Sequence, residues 1–196
     1  TIAERMFKAL TDRGSDARGV RNPRRLDEIC ALAGAAEAEV AGVVEVFRKP
    51  GRSFLMPPAS SALRPTSIVD ISHESLMRIW TRLIQWVDEE ARSAQVYLRI
   101  SKAAQRFQEG KVGLLRDPEL QLDLNWREET RPSAIWAERY DPAFERAMLF
   151  LDQSRRQRDL DLAEKERQRR RQLQWARRLA IILGSAAIVT LVFGLY

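Results

Sequence analysis

The one histidine of this chain, His73, lies in the run Asp70-Ile-Ser-His73-Glu74-Ser-Leu76-Met77, where a β-rich stretch passes into a helical one. Backbone N–H groups at a helix start favour anions, and an imidazole beside them could donate a hydrogen bond to a phosphate oxygen on a neighbouring domain. It could equally be a local N-terminal cap or a satisfied surface histidine, and its spacing alone leaves both roles open. Other chemistry is hard to assemble. The chain has no GxxxxGK[ST] run to cradle phosphates. A single histidine and a single cysteine, Cys30, cannot build a common zinc site or an internal disulfide. No second histidine follows His73-Glu74 at metalloprotease spacing, and no GxSxG presents a serine nucleophile. The segment is expected to be non-catalytic, with no catalytic and no metal-ligating residues.

The elements that position His73 follow from periodicity. Ile2, Met6, Ala9 and Leu10 share one helical face. Gly14, Gly19 and Pro23 make residues 11–25 a loop with room for a short strand at 19–21. Helix signals resume at Leu26 and stop at Gly34. A third helix fits 36–47, with Val40, Val43, Val44 and Phe47 inward. Residues 53–57 and 67–72 then read as two short strands joined by a long, turn-rich tip. The order helix, short strand, helix, helix, hairpin is that of a winged helix. From Glu74 to Gln108 a single long amphipathic helix is predicted, with Leu76, Ile79, Trp80, Leu83, Trp86, Val87, Ala94, Leu98 and Phe107 on its apolar stripe. Residues 110–142 form a packed connector, and a last helix starts near Phe144.

Net charge is +6, and its location matters more than its size. Between Glu164 and Arg178, seven basic residues face two acids, a local +5 that leaves +1 for everything else. This basic stretch adjoins an uncharged run from Leu179 to Tyr196. The run reads as a transmembrane helix, with Arg177 and Arg178 on its cytoplasmic flank. Leu179, Ile181, Ile182, Leu183, Val189, Leu191, Val192 and Phe193 would meet lipid, and Trp175 and Tyr196 would suit the two interfaces. The chain is accordingly expected to be a piece of a single-pass membrane protein with residues 1–178 cytoplasmic. The fold class is mainly α with a small β-wing. Residues 1–73 form a winged helix, 74–142 a helical arm and packed connector, 143–178 a helical basic stalk, and 179–196 a transmembrane helix.

A winged helix raises DNA binding, whose recognition helix needs basic or amide side chains on its outer face. Here that helix offers Glu37, Glu39 and Glu45, with no basic residue before Arg48. Carboxylates facing phosphates oppose association. Arg52 and Arg64 in the wing could touch a backbone, but nucleic acid is not the expected partner. A membrane-anchored DNA-binding regulator and a tail-anchored scaffold stand as the alternatives.

The runs Gly51-Arg-Ser-Phe-Leu-Met-Pro-Pro58, Asp70 to Trp80, Trp86-Val-Asp-Glu-Glu90, Leu115 to Leu122 and Tyr140-Asp-Pro-Ala-Phe144 resemble the C-terminal part of bacterial novel-STAND NTPases. The resemblance covers nearly the whole chain. It implies a signal-transducing ATPase whose upstream nucleotide-binding domain holds ADP or ATP, with no cofactor in this segment itself. It also implies a repeat sensor downstream and leaves room for homo-oligomers. In related members a histidine of the winged helix, in a Met-His-Asp-like motif, contacts the ADP β-phosphate in the closed state. Ser72-His73-Glu74 resembles that motif, with Ser for Met and Glu for Asp, so the resemblance carries the role to His73.

Overall fold

The computed structural model describes residues 1–12 and 19–193; for 181–183 and 185–193 only the backbone is described. Helix α1 (Ile2–Ala9) begins with a capping box in which the Thr1 hydroxyl accepts from the Glu4 amide and the Glu4 carboxylate reaches back. Strands β1 (Thr11–Asp12) and β2 (Val20–Arg21) pair antiparallel. Strand β3 (Arg24–Arg25) leads directly into α2 (Leu26–Ala33), which Gly34 ends in the left-handed conformation (φ 61°) that glycine adopts without a Cβ penalty. Helix α3 (Glu37–Arg48) follows, then β4 (Leu55–Met56) and β5 (Ile68–Ile71). The second sheet has the order β3-β5-β4, antiparallel throughout, with Arg24 opposite Val69 and Leu55 opposite Ile71. Its inner face buries Leu55, Val69 and Ile71 against Phe7, Leu26, Ile29, Val40 and Val44. Arg24-Arg25 gives no apolar signal, so its place in this sheet was not predicted.

The helix predicted from Glu74 onward is broken. Helix α4 covers only Leu76–Ile79, Trp80 is extended (φ −82°, ψ 94°), and α5 runs from Thr81 to Gln108. The break turns the Trp80 ring inward, edge-on to Phe7 at 5.0 Å and beside Phe47, Phe54 and Trp86. Aromatic edge contacts of this kind contribute about 0.5–1.5 kcal/mol each beyond area burial, enough to offset one lost helical turn. Ile79 pays the opposite way and stands 78 % exposed.

Helix α5 belongs to two cores. Its first turns place Leu83 and Trp86 in the core just described. Farther along, Tyr97, Ile100 and Ala104 join a second core with Leu120 and Leu124 of α6 (Glu119–Thr130), Ala137 of α7 (Ala134–Ala137), and Ala147, Phe150 and Leu151 of α8 (Phe144–Phe193). The Glu90 carboxylate, between the two, holds them together. Its Oε1 accepts from Trp136 Nε1 (2.7 Å), Tyr140 Oη (2.8 Å) and Arg139 Nη1 (3.0 Å). Arg139 Nη2 also donates to the carbonyls of Lys8 and Thr11, both at 3.3 Å, tying the α7 segment to α1 and β1. Burial, and then the Glu90 charge, push the Tyr140 phenol well above its ordinary value, so it remains a donor.

One carboxylate of the second core is poorly served. Asp123 is 1 % exposed; Arg99 donates to its Oδ1, while Oδ2 has no partner among the described residues. Burial raises its pKa, with Arg99 opposing. A carboxyl raised in the folded state contributes stability in full below its unfolded pKa and loses it as pH climbs through the folded value. Asp123→Asn is therefore expected to gain on the wild type as pH rises from about 4 to 7. Thermal melts of both proteins across that range would show a widening gap; a constant gap would sink the idea.

The C-terminal transmembrane helix is not supported. Among the described residues no helix is long and apolar enough to cross a membrane. The apolar run is the end of α8, continuous with its charged stretch. The fold class loses that element and remains mainly helical with small sheets; the single-pass localisation falls with it. Arg177, Arg178 and Leu179 are simply exposed on α8. The side chains of Ile181, Ile182, Leu183, Val189, Leu191, Val192 and Phe193, and the whole of Tyr196, lie outside the described residues.

Candidate functional site

Strand β5 delivers His73 to the surface. The Ser72 amide donates to the Phe54 carbonyl (2.9 Å) and the Ser72 hydroxyl to the Ser53 carbonyl (2.6 Å), fastening the end of β5 to the segment before β4. The chain then turns. Leu76 N donates to the His73 carbonyl (3.1 Å), Met77 N to Glu74 (3.0 Å) and Arg78 N to Ser75 (3.0 Å). Buried Met77 anchors this turn from below, while His73, Glu74 and Ser75 are exposed.

Two sequence expectations can be placed on this geometry. The N–H groups of Leu76, Met77 and Arg78 are spent inside the turn. The imidazole is not a cap, since no side chain caps α4 and no hydrogen bond among the described residues engages it. What the fold presents is an exposed imidazole on a fastened strand end. Among the described residues the neighbouring Glu74 is engaged by Arg78, at 3.7 Å. Asp70 is held by Arg21 at 2.9 Å.

Arg48 differs more from expectation. It is the one basic residue of α3, yet its side chain is fully buried. Its Nε donates to the Pro57 carbonyl (2.6 Å), its Nη2 to the carbonyls of Pro58 and Ser61, and its Nη1 to Glu45 (2.8 Å). Arg48 thus clamps the loop between β4 and β5 and has no donor turned outward to a phosphate. The exposed face of α3 keeps Glu37 and Glu39. The spacing Val40, Val44, Arg48 could have revealed this, since it sets the arginine on the buried stripe. Glu90 carries the same signal, four residues after Trp86 and four before Ala94. Cys30 is half-buried in the first core, and burial, with Glu37 and Asp27 adding, raises its thiol pKa. That suits a packing residue rather than a nucleophile. Among the described residues no group of His, Cys, Asp and Glu is placed to hold a metal.

Residues 1–112 match the family described as Novel STAND NTPase 1, more than half of the chain, and the chain belongs to that family. No curated protein and no solved structure matches it.

Proposed function

We propose that this chain is a non-catalytic regulatory segment of a STAND signal-transducing ATPase, in which residues 1–73 act as a winged helix that senses ADP on a nucleotide-binding domain upstream. The observation that carries the reading is His73, exposed and with no hydrogen bond to its imidazole among the described residues, at a strand end fixed by Ser72. Such a group has little to do within its own fold, and it is free to donate to a β-phosphate across a domain boundary. Membership of an NTPase family supports a nucleotide as the group it would meet. Residues 74–142 would serve as the arm and 143–178 as the stalk through which the state of the switch is passed on.

The mechanism is a population shift. ADP favours the closed state only by contacts it makes there and not in the open one. A charged hydrogen bond contributes roughly 1.5–3 kcal/mol, which biases a two-state equilibrium about ten- to a hundredfold. Nucleic-acid recognition by α3 is disfavoured, because Arg48 is committed to the loop and Glu37 and Glu39 face outward. In the protein that includes the nucleotide-binding domain, His73→Ala is expected to lose bound ADP, or exchange it at least about tenfold faster, with its melting curve unchanged. Equal retention of ADP by wild type and variant would remove His73 from the switch.

A further inference from the structure

Helices α4 and α5 meet at a junction where the helical ladder is interrupted. The amides of Thr81, Arg82 and Leu83 have no acceptor among the described residues, and no side chain caps α5. The ladder of α5 starts with Ile84 N donating to the Trp80 carbonyl at 3.1 Å. In an unbroken helix the three amides would donate to the carbonyls of Met77, Arg78 and Ile79, four residues back. No glycine or proline stands between Leu76 and Gln108 to forbid it. Only Trp80 departs from helical angles.

The side chains divide along the same line. With the helix broken, Met77 is buried and the Trp80 ring sits among Phe7, Phe47, Phe54 and Trp86, while Ile79 stands out in water. Continuing the spiral of α5 back by one turn changes this. Leu76, Ile79, Leu83 and Trp86 then follow at steps of three, four and three, on the side where Leu83 and Trp86 enter the first core. Met77 falls on another side. Each arrangement therefore keeps what the other forfeits: Met77 and the inserted ring in one, the backbone bonds and Ile79 in the other. We propose that the α4–α5 junction is a two-state switch whose second state is one continuous helix from Leu76 to Gln108. The turn at residues 73–75 absorbs the change, so His73 is carried to a new position. The junction switches in this way whatever His73 meets.

The test is NMR spectroscopy on the isotope-labelled 196-residue chain. Thr81 is the first residue of α5, a position that suits proline, and Trp80 before it is already extended. Thr81→Pro thus fits the broken form. It forbids the continuous one, because it removes an amide and crowds the Met77 carbonyl. Wild type is expected to show relaxation dispersion at residues 79–83, which reports exchange on the microsecond-to-millisecond scale. Thr81→Pro should abolish it without lowering the melting temperature. Trp80→Ala removes the ring that holds the break. Its residue 80 should take a helical Cα shift, and the amides of Arg82 and Leu83 should exchange about tenfold more slowly. Adding Thr81→Pro should reverse both changes, and adding Ile79→Ser should reverse them in part. Should Trp80→Ala fail to fold, the comparison of wild type with Thr81→Pro decides alone. A flat profile in wild type, dispersion that survives Thr81→Pro, or a folded Trp80→Ala chain still extended at residue 80 would each overturn the proposal.

Discussion

Replacing Glu90 with alanine is expected to lower the unfolding free energy by about 3–5 kcal/mol, the cost of breaking a buried ion pair by removing one partner. Three donors converge on one oxygen of Glu90, and all are part-buried. Arg139 is only 9 % exposed, so its charge would be stranded rather than rehydrated. Glu90→Gln keeps an acceptor oxygen and removes the charge, and should cost about 1.5–3 kcal/mol, the range for hydrogen bonds to charged groups. Urea unfolding followed by both tryptophan fluorescence and circular dichroism would read the two variants. Because Glu90 and Arg139 join the two cores, Glu90→Ala should also split the transition, so that the two probes no longer coincide. A single transition with a loss under about 1 kcal/mol would show that the node is incidental.

Arg48→Met should be nearly as costly, at about 2–4 kcal/mol. The methionine keeps much of the aliphatic volume but leaves the carbonyls of Pro57, Pro58 and Ser61 without their shared donor. Part of that loss is recovered because Pro58 and Ser61 lie at the surface and can take water. Arg48→Lys should fall between the two, since an ammonium is a compact point donor and cannot span several carbonyls as a planar fork does. Native-state proteolysis of residues 57–66 should accelerate in the same order, from wild type through lysine to methionine. If the loop is cut no faster in Arg48→Met than in wild type, the clamp is not what orders it.

Both residues show where the sequence is readable and where it is not. The apolar periodicities that place Met6, Leu26, Val40 and Leu83 inward are strong because burial of each is independent of what lies opposite. Gly34 is readable for the same kind of reason, since a left-handed stop is a backbone property. Glu90 and Arg48 sit on buried stripes, yet a charge on such a stripe means nothing until its partners are known, and those lie 46 to 50 residues away for Glu90 and on backbone carbonyls for Arg48. The break at Trp80 had no proline or glycine to announce it, because its cause is an aromatic cluster assembled from four separate elements. His73 was legible as a type and a position. Its exposure and its lack of an internal partner were not. The apolar end of the chain was legible only in character: among the described residues no helix is long and apolar enough to cross a membrane.

That last helix has a mechanical consequence. Residues 147–154 are seated between α5 and α6, Arg158 still reaches Gln121 (2.8 Å), and the stretch from Asp159 to Ala180, roughly 33 Å long at 1.5 Å per residue, is exposed throughout. A rigid rod mounted at one end converts rotation into displacement. A tilt of about 5° at the seat would carry Ala180 through about 3 Å, comparable with the 1–2 Å helix shifts that separate the states of known switches. The seat includes α5, which also enters the first core. A repacking too small to disturb either core would therefore be read at the far end of α8 as a step large enough to make or break a contact.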